Sequence, residues 1–380
     1  MEMQINDKPR KKTSIGLVTW SLEPNYGTVL QAYSLYHTLE KLGCKVFLLN
    51  KFDTVFTLRS FKDSIFRRLG IRRFWKYEHV RKTVKMERIK KFHRHEFRQK
   101  TIATKRQYGR LLKNTDIFMT GSDQLWNCYD HFIPFLFLDF AEGRKKVSYA
   151  TSIGTADIPD SYRPAVKEFL LRYKKISVRE ETAKTVLSEL TGRNDIEHVL
   201  DPTFLIDSSE WNQFGNCAAD DFNAPEKYIC CYLLGKDKHY KEYIETIQEK
   251  TGLENIIIIP SGENPGLTFK GAVIYDNAGI REFVKILSGA SFVCTDSFHG
   301  TALSINLSKQ FVILKRFEDS DRESQNSRIY DLLDTLDIRN RFFDDKKGGW
   351  DKLIDYDVID TRLCILRKKS MDFLTDAITI

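Results

Sequence analysis

The run Asp296-Ser297-Phe298-His299-Gly300 sets an imidazole between an apolar stretch, Phe292 to Cys294, and the segment Thr301 to Leu307. The apolar stretch reads as a buried strand. The five residues read as a tight turn, and Thr301 onward as a helix start with Ala302, Leu303 and Ile305 available for packing. At the carboxyl end of a strand in an open α/β sheet, such a turn faces the ligand crevice. The first N–H groups of the helix can hold an anion there. A histidine, as a residue type that titrates near neutrality, can exchange a proton with it. Taken alone, a histidine after a strand is as readily structural, and the residues leave both readings open.

Two further loops carry chemistry-bearing side chains. Asn25-Tyr26-Gly27 follows the apolar run Ile15 to Trp20, where Gly27 is expected for its backbone freedom. Gly121-Ser122-Asp123-Gln124-Leu125-Trp126-Asn127 follows Thr115 to Thr120. It reads either as a helix start capped by Ser122 or Asp123, or as a sugar site. A sugar offers hydroxyls on its rim and an apolar face for Trp126. Arg179 ends a strand and is followed by Glu180, which allows a surface ion pair or a guanidinium fork for carboxylate or phosphate. Arg328 opens a helix as a weaker candidate of the same kind. His37, His93, His95 and His198 have no metal-binding spacing, and no metal is expected.

The elements that must position these loops follow a repeated rhythm. A strand at 15–20, a helix from about 28 to 42 stopped by Gly43, and a strand at 45–50 make a βαβ unit, so a parallel sheet is expected. Strands at 115–120, 146–150, 175–178 and 197–200 extend it, with helices at 161–173 and after Glu180. Residues 206–226 are polar and acidic and read as a linker. A second alternation fills 227–345, and a helix from about Tyr356 to Ala377 returns to the first domain. The expected fold class is α/β, with two Rossmann-like domains (14–205 and 227–345) facing across a cleft in the glycosyltransferase-B manner, and a helical segment at 346–380.

Composition sets limits on function. The 380 residues are 42% hydrophobic and 29% charged, with no apolar run long enough to span a bilayer. The polar start, MEMQINDKPRKK, lacks a signal core, so a cytoplasmic location is expected. Seven cysteines without a CxxC spacing fit reduced thiols. The net charge of +8 is concentrated: residues 59–106 hold 18 Lys and Arg against four acids, a net of +14, which leaves −6 elsewhere. The segment from about 54 to 112 reads as an insertion of two or three amphipathic helices. It is either a solvated basic face or a surface for anions such as acidic lipid or a diphosphate. No nucleic-acid module accompanies it, and no nucleic-acid partner is expected.

Taken in order, NYGTVLQAYSLYHTLEKLG, GSDQLWN, SYATSIG, SVREETAKTVLSELTG, VLDPTFL and TDSFHGTALSINL resemble the polysaccharide pyruvyl transferases, over roughly residues 14–340. The resemblance implies transfer of a pyruvyl group from phosphoenolpyruvate to two hydroxyls of one sugar, giving a cyclic ketal and phosphate, with no cofactor. His299 is then the acid toward the enol phosphate, and Asp123 or Asp296 the base. Arg179, Ser297, Gly300, Thr301 and Arg328 hold the donor. Asn25, Tyr26, Gly27, Ser122, Gln124, Trp126 and Asn127 hold the acceptor. The chain departs from the family at one position: many members carry Arg two residues before the histidine, where this chain has Ser297. Arg179, Arg328 or a cation of the basic segment must then replace it, or the donor differs.

The basic segment suggests an acceptor built on a polyprenyl diphosphate and peripheral attachment at the inner membrane face, through residues such as Arg72, Arg73, Arg81 and Lys82. A nucleotide-sugar glycosyltransferase on the same plan, or a non-catalytic glycan-binding relative, are the alternatives.

Overall fold

The computed structural model describes residues 12–49, 84–101, 104–219, 223–235, 239–261, 271–321, 324–344 and 348–380. Its first half runs β1 (Ser14–Val18), α1 (Tyr26–Lys41), β2 (Lys45–Leu49), α2 (Val84–Glu96), β3 (Gln99–Lys100), α3 (Lys105–Asn114), β4 (Ile117–Thr120) and β5 (Lys145–Ser148). Next come α4 (Arg163–Leu170), β6 (Ile176–Val178), α5 (Glu181–Thr191), β7 (Ile196–His198), a 3₁₀ turn (Pro202–Leu205) and α6 (Ser208–Asn216). The second half runs β8 (Ile229–Tyr232), α7 (Tyr240–Thr251), β9 (Ile256–Ile258), β10 (Val273–Ile274), α8 (Ile280–Gly289) and β11 (Phe292–Thr295). It ends with α9 (Phe298–Asn306), β12 (Phe311–Ile313), α10 (Ser327–Leu336) and α11 (Tyr356–Thr379).

Both halves solve the same packing problem in the same way. Their main sheets are parallel, in the orders β3-β2-β1-β4-β5 and β10-β9-β8-β11-β12. Bridges from Val147 to Lys175 and from Thr151 to Val178 carry β6 and β7 onto the first sheet beyond β5. The inner strands β1, β4, β8 and β11 are buried on both faces, which accounts for their nearly unbroken apolar sequences. This is a pair of Rossmann-like domains. In each sheet the chain reverses its direction of winding between the first strand and the fourth, so the loops after β1 and β4, and after β8 and β11, flank the switch point where ligands bind.

Several elements tie the halves together. Tyr26, the first residue of α1, crosses to the second half, stacks on Phe283 at 4.4 Å between centroids, and donates to Ala278 O. Such a ring pair contributes roughly 0.5–1.5 kcal/mol beyond its buried area. Helix α11 returns to the first half: Leu200 N donates to Ser370 Oγ, and Arg367 reaches Phe204 O and Asn306 Oδ1.

The expected linker at 206–226 contains α6 instead. Asp207 caps it by accepting from Glu210 N, and Trp211 and Phe214 lie buried on one face. That apolar spacing inside a polar stretch makes a helix that packs on α8. The segment read as an all-helical insertion includes an edge strand, β3, paired with β2. Within it, Lys85 is buried and donates to Pro260 O, and His93 is buried between Ser21 and Gln99. Part of this basic stretch therefore serves as packing. Arg72, Arg73, Arg81 and Lys82 lie outside the described residues. Among the described residues, no helix is long and apolar enough to cross a membrane.

Candidate active site at the cleft between the two sheets

The site is built where the switch-point loops meet. Ser297 caps α9, its hydroxyl accepting from Gly300 N at 3.3 Å, which places His299 in the first turn of the helix. The imidazole is driven against the start of α1 on the opposite domain. A Cβ on Gly27 would fall 2.3 Å from the His299 ring. Gly27 does not have the positive φ that its expected backbone role would require. It is glycine because the histidine lies against its backbone. Asn25 caps α1 by accepting from Thr28 N.

His299 Nε2 is buried, has no hydrogen-bond partner, and lies 3.7 Å from Asp201 Oδ2. That distance is too long for a hydrogen bond but close enough for a counter-charge. Asp201 caps the 3₁₀ turn. Its Oδ1 accepts from Thr203 N and Oγ1, and its Oδ2 from Ser122 Oγ and Arg179 Nη1. Burial alone would raise its pKa, but His299, Arg179 and the Thr203 N–H outweigh it and hold the carboxyl below its ordinary range. The sequence showed Asp201 only as the residue that stops a strand before Pro202. Its part in the site depends on the fold bringing 201 and 299 together.

Arg179 is no surface ion pair. Its side chain is 0% exposed and meets Glu180 at 2.8 Å, Asp201 at 3.1 Å and Asp123 at 3.6 Å. Its Nη2 has no hydrogen-bond partner. Asp123 takes a positive φ of 78°, a conformation rare outside glycine, and accepts from Thr28 Oγ1 and Gln124 N. Burial pushes its pKa up, but the His299 and Arg179 charges prevail and lower it. Glu180 goes the other way: burial prevails over Arg179 and raises it. Glu23 reaches solvent but is crowded by protein, and its pKa is raised by desolvation and then by the Asp123 charge.

The other candidates divide. Trp126 belongs to the core, not to a sugar platform. It is 1% exposed, stacks on Phe137 at 5.6 Å, and donates its indole N–H to Leu136 O. Ser122 is committed to Asp201, and Asn127 donates to Gln124 Oε1 and accepts from the following turn, so neither presents a free group to an acceptor. The 121–127 stretch is a turn rather than a helix start. Tyr26 is fully buried in the domain contact. Asp296 accepts from Leu234 N, Gly235 N and Tyr240 OH, three donors that commit its carboxylate to the loop after β8 and to α7. Thr301 donates its hydroxyl to Ser297 O. Gly300 leaves room for Thr295, whose Oγ1 would lie 2.3 Å from a Cβ there.

The second domain adds two guanidiniums. Arg328 is buried, and Arg179 and Arg328 lie 4.3 and 5.8 Å from the Phe298 ring centre. Burial, then the charges of Arg179 and Arg316, push Arg328 down to about 9. Arg316, absent from the sequence reading, lines the same recess with Arg328 and Asp296. Beside it, across Asn326, opens a groove of about 580 Å³ lined by Tyr129, Asp157, Asp319, Asp321 and Tyr330. Among the described residues, no group of His, Cys, Asp or Glu is arranged to hold a metal.

The sequence profile of the polysaccharide pyruvyl transferases matches residues 25–316, a span that holds Asp123, Arg179, Asp201, His299 and Arg316. The chain belongs to this family. This transferase matches no curated protein. Among solved structures it is similar to a glycosyltransferase from Rickettsia africae, with TM-score 0.52, 11% identity, and coverage of 97% of this chain and 99% of that one. It is also similar to a UDP-N-acetylglucosamine 2-epimerase, with TM-score 0.51, 12% identity, and coverage of 96% and 94%. At that identity the likeness establishes the fold, two Rossmann-like domains in the glycosyltransferase-B arrangement.

Proposed function

We propose that this pyruvyl transferase uses phosphoenolpyruvate as donor and closes a cyclic ketal on two hydroxyls of a sugar in a polysaccharide precursor. The observation that carries this reading is His299 Nε2, buried, unpartnered and 3.7 Å from Asp201, beside guanidiniums from both domains. Enol phosphate chemistry needs one acid at a carbon and cations for a departing phosphate.

The steps follow from those groups. The His299 imidazolium gives its Nε2 proton to the donor's methylene carbon, and the neighbouring carbon becomes electrophilic. The Asp201 carboxylate supplies the counter-charge. One sugar hydroxyl forms a C–O bond to that carbon and loses its proton to Asp123 or to Glu23, on which the Asp123 charge acts. Glu23, with its raised pKa, is the better-matched acceptor. The bond to the phosphate oxygen breaks, and the leaving charge develops toward the unpartnered Arg179 Nη2 and the start of α9. The second hydroxyl closes the ring. In balance, one hydroxyl proton ends in the new methyl group and the other leaves on phosphate.

The groove lined by Tyr129, Asp157, Asp321 and Tyr330 supports acceptor binding, since its polar side chains can meet sugar hydroxyls. A carrier-linked acceptor at an anionic membrane surface belongs to the same reading and is supported by the +14 segment. The test is incubation with phosphoenolpyruvate and carrier-linked galactose, glucose and N-acetylmannosamine. Phosphate release together with the ketal mass on one acceptor is expected. Turnover of a nucleotide sugar with phosphoenolpyruvate untouched would replace this reading with a glycosyltransferase.

A further inference from the structure

One oxygen in the cleft carries an unusual set of donors. Gln325 Oε1 accepts from Arg328 Nη2 at 2.7 Å, from Arg316 Nη2 at 3.1 Å and from Gln124 Nε2 at 3.1 Å. Two guanidiniums and an amide thus converge on a neutral carbonyl. Among the described residues, neither guanidinium forms an ion pair with a carboxylate. Arg179, which also packs against Phe298, has three such neighbours. The amide faces oxygen-inward for an electrostatic reason: turned over, its NH₂ would point at two cationic donors. Arg316 Nε, in addition, is buried without an acceptor.

A carboxamide is planar and matches a carboxylate in size, and guanidinium groups bind carboxylates through this kind of in-plane geometry. We infer that Arg316, Arg328 and Gln124 form the seat for the carboxylate of the donor, and that Gln325 occupies this seat in the free protein and leaves when the donor arrives. The inference rests on the phosphoenolpyruvate reading above and deepens it. It separates the two anionic groups of one molecule, the carboxylate at Arg316 and Arg328, and the phosphate toward Arg179 and α9. Both cations come from the second domain, Arg316 after β12 and Arg328 from α10. Because Gln124 belongs to the first domain and Gln325 to the second, the exchange also replaces a cross-cleft bond within the protein by one through the donor.

A neutral plug should compete weakly and a charged one strongly. Binding of phosphoenolpyruvate and of inorganic phosphate is measured by calorimetry for the full chain, Gln325→Ala and Gln325→Glu, with melting temperatures recorded for each. Emptying the seat in Gln325→Ala tightens phosphoenolpyruvate about threefold to tenfold, and placing a carboxylate in it with Gln325→Glu weakens phosphoenolpyruvate tenfold or more. Inorganic phosphate is indifferent to both changes. Phosphoenolpyruvate affinity unchanged or reversed in the two variants overturns the inference, and so does phosphate responding in parallel, since the seat would then hold the phosphoryl group. Gln325→Asn, too short to fill the seat, must behave as Gln325→Ala, so a folding defect in one variant does not decide the result. Ketal formation with Gln325-independent affinity sinks the seat and leaves the function. Gln325-dependent affinity without transfer does the reverse. Absence of binding in every form removes both.

Discussion

Arg179 and Arg328 approach the same phenylalanine ring, Phe298, from different domains, and their surroundings are opposite. Arg179 is enclosed by Glu180, Asp201 and Asp123. Arg328 is buried with Arg316 as a neighbour and an amide oxygen as its acceptor. The first domain therefore surrounds its guanidinium with carboxylates and uses that network to hold Asp123 and Asp201 beside His299. The second domain holds two guanidiniums that form no ion pair with a carboxylate among the described residues, although the Glu180 and Asp123 charges of the first domain act on Arg328. A buried guanidinium without a carboxylate costs free energy, so its persistence fits a site completed by an anion from outside. From sequence, the two arginines looked alike, one after a strand and one opening a helix. In the proposed reading Arg179 holds Asp123 and Asp201 and faces the phosphate, and the donor carboxylate falls to Arg316 and Arg328.

The largest expected effect breaks the balanced half. Arg179→Met strands three buried carboxylates and should cost about 3–5 kcal/mol of unfolding free energy in urea titrations. If the loss is below about 1 kcal/mol, Arg179 is not the centre of a structural network. The corresponding change in the other half should behave differently. Arg328→Gln removes a buried cation that forms no ion pair among the described residues, so stability should hold within about 1 kcal/mol or rise. Phosphoenolpyruvate affinity should fall by about 10- to 100-fold, equivalent to roughly 1.4–2.7 kcal/mol. Equal destabilisation by both substitutions would erase the contrast.

A smaller effect separates the halves by pH. Asp123 and Asp201 have folded pKa values below the ordinary carboxylate range. The unfolded chain therefore binds more protons near pH 4 and below, and stability rises with pH through that window. Their contribution is complete above about pH 4 and is lost as pH falls. Glu180, raised, works in the opposite sense and reduces the net slope. Asp201→Asn should flatten this acid limb in urea melts at pH 3 to 5, while Arg328→Gln, removing a charge that acts on Asp123 less than those of His299 and Arg179, should change its slope less.

Much of this architecture is visible in the chain. Apolar runs that end in polar loops show a parallel sheet, and they put Asn25, Asp123, Arg179 and His299 at strand ends. The remainder depends on how the two sheets dock. Asp201 looks like a strand terminator until α9 brings His299 to it. Gly27 looks like an ordinary turn glycine, but its reason is a histidine 272 positions away in sequence, pressed against its backbone. Trp126 among hydrogen-bonding residues suggests a sugar platform, yet Phe137 and Tyr173 enclose it. Local pattern shows that a tryptophan is present and not which side of it is covered. Arg316 and Gln325 fall outside any motif, because their meaning lies in a convergence of atoms from Gln124, Arg316 and Arg328.

The central claim is that His299 delivers the proton that starts transfer. It is tested most directly by phosphate release from phosphoenolpyruvate in the presence of acceptor, comparing the wild-type chain with His299→Ala under conditions where both bind the donor. A fall in kcat of about 10²- to 10⁴-fold is expected, with donor affinity changed much less. Full phosphate release and ketal formation by His299→Ala would contradict it.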